Sequence, residues 1–162
     1  MKISHLIAVS GTLALAACNQ NTAIGNDREA ALDPPAAAAP IEPAETALAN
    51  IATALVKPET MTDADIAALG GTSGRCVFTF TEVGFPAFVY RPGEQGFLKL
   101  NGRIIPLSAT GADRFVSGGL VVATRFVDET GNAGLQAMEI LVVPPQAGDE
   151  LGYRGYTTCA KP

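Results

Sequence analysis

From residue 75 onward, apolar and polar side chains alternate with a period of two, which indicates strands that bury one face. Seven segments carry this pattern, and they are residues 76–81, 87–91, 97–100, 103–107, 119–127, 135–143 and 153–159. Asn101-Gly102 predicts a two-residue hairpin turn, because both of its positions require a positive φ. Many short strands with no helix among them predict an all-β domain over residues 75–162, a small antiparallel β-barrel or sandwich.

Two short helices are predicted before this domain, in residues 44–74. Residues 44–56 place Leu48, Ile51, Ala52 and Leu55 at helical spacing, and a proline follows at position 58. These residues form one apolar stripe, which favours packing of the helix against the β domain.

The second helix has clear start and stop signals. Thr62 is predicted as its N-cap, Asp63 and Asp65 lie in its first turn, and Gly70-Gly71 ends it. Helices this short are barely stable alone, so both are expected to fold by leaning on the β domain.

The first 17 residues have the pattern of an export signal. Lys2 supplies a positive start, and residues 6–17 are mostly apolar. A stretch of about 12 residues is shorter than the roughly 20 that span a bilayer, so we predict a cleaved signal peptide over 1–17. Residues 18–43 are rich in Ala and Pro, which predicts a disordered, semi-rigid tether.

The signal ends Leu15-Ala16-Ala17-Cys18, which resembles the lipobox of bacterial lipoproteins. The resemblance implies a diacylglyceryl group on Cys18, cleavage before it, and a lipid-anchored protein of the cell envelope. Asn19 follows where an Asp resembles an inner-membrane retention signal, so the outer membrane, facing the periplasm, is expected. An ordinary signal cleaved after Ala16 is the alternative, because Ala14-Leu15-Ala16 also fits a small-residue cleavage site.

The cysteine count agrees with a lipid on Cys18. The chain has three Cys, and an odd thiol in an exported protein needs an explanation. If Cys18 carries lipid, Cys76 and Cys159 remain as a pair, and an oxidising compartment permits their disulfide. That bond would join the first predicted strand to the last.

Charge is unevenly distributed along the chain. Residues 18–74 hold eight acidic and two basic side chains, whereas residues 75–162 hold eight of each. An acidic tether and a neutral β domain give no basic footprint for nucleic acid.

The residue types exclude several kinds of chemistry downstream of the signal. His5 is the only histidine, so the remaining chain can form neither a Ser-His-Asp triad nor a His-ligated zinc or haem site. We therefore predict no catalytic residues, no metal and no cofactor. Catalysis by carboxylates remains an alternative, because Asp128-Glu129 and Asp149-Glu150 supply the residue types. Adjacent residues on a strand point to opposite faces, so neither pair converges by itself on one substrate. Residues 128–132 allow two interpretations, a calcium-binding loop with oxygen ligands or a plain hairpin turn.

Residues 107–120 carry one further resemblance. Thr110-Gly111, then Phe115, then Gly118-Gly119 are similar to the Ser-Gly-x-x-Tyr loop and glycine turn of the periplasmic and membrane-bound inhibitors of C-type lysozyme. Proteins of that family are small eight-stranded barrels, often lipoproteins, closed by a disulfide. The resemblance covers residues 76–159 and implies that Thr110, Gly111 and Phe115 belong to a binding loop.

In that family a later Lys enters the lysozyme cleft together with the loop. Residues 127–132 contain no Lys, so Arg125 is the nearest cation that could take its place. The alternative is structural: Thr110-Gly111 as a turn or bulge, Phe115 in the core, and Arg125 as a solvated strand residue.

The sequence thus predicts an envelope lipoprotein with a non-catalytic periplasmic β domain that binds a protein or ligand, with a C-type lysozyme as one possible partner. The second hypothesis is a structural or assembly accessory of the outer membrane that docks through a sheet edge or the helical segment. An enzyme using carboxylates is the third, and it would require two acids that converge in a cleft.

Overall fold

The computed structural model describes residues 36–161, which form one β-barrel with a helical segment packed on it. Eight antiparallel strands pair in chain order, and the eighth pairs with the first. The strands are β1 (Cys76–Thr79), β2 (Phe88–Arg91), β3 (Gln95–Leu100), β4 (Arg103–Ala109), β5 (Arg114–Ser117), β6 (Leu120–Thr130), β7 (Gln136–Val143) and β8 (Leu151–Cys159). The all-β prediction is confirmed, and of its two forms the barrel is correct. The predicted signal peptide, Cys18 and most of the tether lie outside the described residues.

Aromatic rings fill the barrel. Phe88 stacks on Tyr90 with ring centres 4.8 Å apart, and Phe115 meets both rings edge-on. Gly96 faces these rings, and a Cβ there would come within 2.5 Å of the Phe88 ring. Phe78, Phe88 and Phe115 are fully buried, so the interior is a packed core.

The ends of the sheet are joined covalently. Cys76 lies directly opposite Cys159 in the β1–β8 pair, and the two form a disulfide. The predicted disulfide is therefore confirmed. The predicted hairpin turn is also confirmed, since Asn101 and Gly102 connect β3 to β4 with φ values of 46° and 74°.

Residues 44–56 close one end of the barrel, which we call the closed end. They form the single turn α1 (Ala44–Ala47) and a 3₁₀ turn (Thr53–Leu55), so the predicted helix is much too long. Asn50, at φ 66°, separates the two turns. Ala44, Ala47, Leu48 and Val56 are buried with the barrel core. Of the predicted stripe only Leu48 is buried there, while Ile51 is half-buried and Ala52 is exposed. Leu55, on the same predicted stripe, is 67% exposed.

The second predicted helix is present as α2 (Asp63–Ala68). Thr62 caps it as expected: its hydroxyl accepts the N–H of Asp65, while the Asp65 carboxylate accepts the N–H of Thr62. Gly70 and Gly71 follow with positive φ. None of the helices between residues 36 and 161 is long and apolar enough to cross a bilayer.

The segment around α2 forms a second small core on the outside of the barrel. Met61 and Leu69 pack there on Val89 of β2 and Ile104 of β4, which point outward from the barrel. An outer face covered in this way explains why Val89 and Ile104 are fully buried although their neighbours point into the barrel.

A buried ion pair lies under this cover. Lys99 of β3 donates to the Asp65 carboxylate at 2.7 Å, and the same carboxylate accepts the backbone N–H of Ala39 at 2.6 Å. Burial alone would raise the pKa of Asp65, but the hydrogen bonds from Lys99, Ala39 and Thr62 prevail and lower it to about 2.

The predicted tether ends earlier than residue 43, because residues 39–43 belong to the folded domain. Ile41 forms a parallel bridge with Ile104: the N–H of Ile104 donates to Pro40, and its C=O accepts from Glu42, both at 2.9 Å. β5 pairs with β4 only at Ser108 and Ala109, so this segment occupies the edge of β4 that β5 leaves free. Pro106, on the same edge, has no N–H to satisfy.

Candidate binding surface

The end opposite the closed end, which we call the open end, carries the disulfide and the β2–β3, β4–β5 and β6–β7 turns. The β4–β5 turn holds Thr110 and Gly111, both exposed. The backbone N–H of Thr110 donates to the C=O of Arg114 at 2.8 Å, which closes the turn. The Thr110 hydroxyl is 3.4 Å from the same oxygen, a long hydrogen bond that leaves its lone pairs available to a partner.

A groove of about 630 Å³ lies between this turn and β6, and we call it the mouth groove. Asp113 of the turn is joined to β6 because its C=O accepts the N–H of Thr124 at 2.8 Å. The residues that border the groove include Tyr90, Pro92, Asp113, Thr124, Arg125 and Phe126.

Two residues of β6 give the mouth groove its character. The ring of Phe126 is 68% exposed, which is unusual for a phenylalanine. Arg125 is also exposed, and its guanidinium forms an ion pair with Glu139 on β7. The structure therefore brings Arg125 to the same groove as the turn that carries Thr110 and Gly111.

The prediction that Phe115 belongs to a binding loop is wrong. It is fully buried inside the barrel, on a four-residue strand that the sequence pattern did not indicate. It cannot contact a partner unless the barrel opens, so the structural alternative holds at this position. Gly118-Gly119 does form a turn, with Gly118 at φ 55°, but it lies at the closed end, away from Thr110.

Phe126, Pro92 and Asp113 are residues that sequence reasoning missed. In the predicted strand 119–127, Phe126 shares a face with Leu120 and Val122, and this pattern is typical of core. The two earlier residues are fully buried, whereas Phe126 lies beyond the point where β5 ends. Its exposure follows from the length of β6, which is 11 residues against four in β5, and the sequence pattern carries no signal of that difference.

The adjacent acids do not converge. Glu129 forms an ion pair with Arg154, whereas Asp128 is exposed on the neighbouring position of β6. Asp149 and Glu150 lie in the exposed β7–β8 loop. No group of three or more His, Cys, Asp or Glu that could hold a metal occurs among residues 36–161.

Comparison with known proteins gives one result. No curated protein and no solved structure matches the chain. A family model matches residues 14–162, which is nearly the whole sequence. The chain therefore belongs to the family described as a domain of unknown function, DUF6692.

Proposed function

We propose that this protein is a lipid-anchored binding protein of the bacterial envelope, and that its barrel binds a protein partner at the mouth groove without catalysing a reaction. The exposed ring of Phe126 beside a concave groove carries this proposal. Exposed apolar surface next to a groove marks interaction sites on folded proteins.

The disulfide supports the lipid anchor. Three cysteines are present, and Cys76 and Cys159 are bonded to each other, which leaves Cys18 as the odd one. The lipobox-like residues before Cys18 supply a use for that thiol, and the family match begins just before it, at residue 14.

Labelling with a radioactive fatty acid tests the anchor. Cys18→Ala should abolish incorporation, whereas Asn19→Asp should keep the label and move the protein from the outer to the inner membrane fraction. Label that persists in Cys18→Ala would refute lipidation at this residue.

A C-type lysozyme is the partner that the loop resemblance suggests. Thr110 is exposed in the turn beside the groove, and Arg125 borders the groove as the nearest cation. Calorimetry should compare residues 19–162, which include every described residue, with Thr110→Ala and Arg125→Ala. Submicromolar binding that both substitutions weaken by about tenfold would support inhibition. Thr53→Ala, exposed at the closed end, is the matched control. Absence of heat at two different temperatures would remove lysozyme as the partner.

One observation favours the second function, a structural or assembly accessory. The β1–β2 loop exposes Val83 at 85% and Phe85 at 47%. A photo-crosslinking amino acid placed at Val83 or at Phe126 in intact cells separates the two proposals. Adducts at position 83 and none at 126 would favour the accessory role, and the reverse would favour the mouth groove.

A further inference from the structure

Strand β6 continues well past its last partner on the β5 side. The β5–β6 pairing ends at Arg114 and Ala123, and the N–H of Thr124 then donates to Asp113. β6 itself runs on to Thr130. Residues 125–130, which we call the free edge, therefore have no strand beside them on this side in the described part of the chain.

The backbone groups of the free edge point in a defined direction. Because the N–H of Thr124 points toward the β5 side, strand alternation turns the N–H and C=O of Phe126 and Asp128 the same way. The opposite side is already occupied: the Gln136 amide donates to the carbonyls of Val127 and Glu129 at 2.6 and 3.1 Å. These bonds span the bulge between β6 and β7 and hold the free edge extended.

The mouth groove lies directly beside this edge. Phe126 belongs to both, and Pro92 and Asp113 border the groove across from it. A strand added to the free edge would place one of its side chains on the Phe126 ring, because alternate residues of neighbouring strands share a face. The groove volume of about 630 Å³ accommodates a few such side chains.

The charges beside the free edge favour a basic partner. Arg125 is neutralised by Glu139, and Glu129 by Arg154. Asp113 and Asp128 form no ion pair within residues 36–161. Arg114 does not offset these two acids, because it points to the outer face, whereas its neighbour Phe115 points into the barrel. Pairing of two copies would bring one acidic edge against another, which argues against a homodimer.

We propose that the free edge binds an extended segment of a partner protein as an added β-strand. On the face that meets the groove, the segment carries apolar residues where it packs on Phe126 and Lys or Arg where it lies near Asp113 and Asp128. This inference rests on the proposed function and deepens it, since it names the partner's conformation and charge. Strand addition uses main-chain hydrogen bonds for affinity and side-chain pockets for specificity.

Peptides selected from a random displayed library against residues 19–162 test the proposal. We expect one face of the selected sequences to combine β-branched residues with Lys or Arg, and we expect the sequences to lack internal proline. Binding should slow amide hydrogen exchange at Phe126 and Asp128 by about tenfold or more. N-methylation of the selected peptide at alternate residues should abolish binding in one register and leave it unchanged in the other.

Variants on the two sides of the molecule sharpen the test. Phe126→Ala should weaken peptide binding about tenfold, and Asp113→Asn with Asp128→Asn about threefold. Leu55→Ala and Asp149→Asn, exposed apolar and acidic residues elsewhere, should leave it unchanged.

The outcomes distinguish the inference from the function on which it rests. Peptides or a protein that need Phe126 but leave the Phe126 and Asp128 amides unprotected would overturn strand addition and keep the groove as a binding site. A library that yields no peptide, or peptides indifferent to Phe126→Ala, would overturn the strand proposal. Loss of both peptide binding and crosslinking at position 126 would overturn the groove itself.

Discussion

The barrel is covered by its own chain in one region and left open in another. Residues 39–71 cover the closed end and the outer face of β1 to β4, where they bury apolar side chains. They also form backbone hydrogen bonds with Ile104 and the buried ion pair between Asp65 and Lys99. At the open end the strands stop at different heights, the Phe126 ring is exposed, and β6 has a free edge.

This difference separates the residues that stabilise the fold from those that are available for binding. In the covered region each buried side-chain polar atom has a hydrogen-bond partner, and buried side chains can be changed only at a cost in stability. In the open region, backbone groups and an aromatic ring are left for water or for another molecule. Stability and binding are thus expected to separate between the two regions.

Removing the disulfide should have the largest effect, because it is the covalent closure of the otherwise uncovered open end. The double variant Cys76→Ala with Cys159→Ala frees a loop with a sequence separation of 83 residues. We expect the free energy of unfolding in urea to fall by about 4 kcal/mol. Cys18→Ala is the control and should leave it unchanged. A fall below about 1 kcal/mol would mean that strand pairing alone holds this end.

Asp65→Asn should have the next largest effect, in the covered region. It leaves Lys99 buried without a counter-charge, and we expect a loss of about 3 kcal/mol at neutral pH. Asp63→Asn, exposed on the same helix, should change the unfolding free energy by less than about 0.5 kcal/mol. Equal effects of the two would show that the pair does not fasten the helical segment.

The same carboxylate predicts a pH dependence. Its pKa is about 2 in the folded chain, against an ordinary value of 3.8. The unfolded chain therefore takes up the proton first as pH falls, and this contribution is present above pH 4 and lost toward pH 2. The loss should amount to about 2 kcal/mol in acid titrations of stability, and it should be absent in Asp65→Asn.

Leu48→Ala tests the closed end. Leu48 is 8% exposed and packs in the barrel core, so truncation should cost about 2 kcal/mol. Leu55→Ala, on the same predicted apolar stripe but 67% exposed, should cost almost nothing. Thermal unfolding of both variants measures the contrast. Similar losses would restore the continuous helix that the sequence pattern predicts.

Phe126→Ala should have the smallest effect on stability, within about 0.5 kcal/mol, since its ring is mostly exposed. Phe115→Ala, fully buried, should cost about 3 kcal/mol in the same urea titration. If Phe126→Ala were as costly as Phe115→Ala, the open end would be part of the core and the mouth groove would lose its separate role.

Local signals in the sequence predicted much of the fold. Strand alternation, the Asn101-Gly102 turn and the Thr62 cap each depend on neighbouring residues, and all three are confirmed. The Cys76–Cys159 bond was predictable because the lipobox-like motif accounts for the third cysteine.

Features that depend on distant contacts were missed. β5 is four residues long, too short for its alternation to stand out, and the resemblance to lysozyme inhibitors places its Phe115 in a loop. The Asp65–Lys99 pair joins residues 34 positions apart, and nothing in either neighbourhood indicates it. The mouth groove depends on which strand ends first at the rim, which sequence periodicity does not record.

The bridge between Ile41 and Ile104 moves the practical boundary of the domain. Composition suggests a domain start at residue 44 or 75. A shortened protein that begins at either residue would lose Ile41, which pairs with Ile104, and would expose the backbone groups at the edge of β4. One that begins at residue 75 would also lose Asp65 and leave Lys99 without its counter-charge. Such fragments would associate edge to edge in solution, so any recombinant form should begin before Ala39.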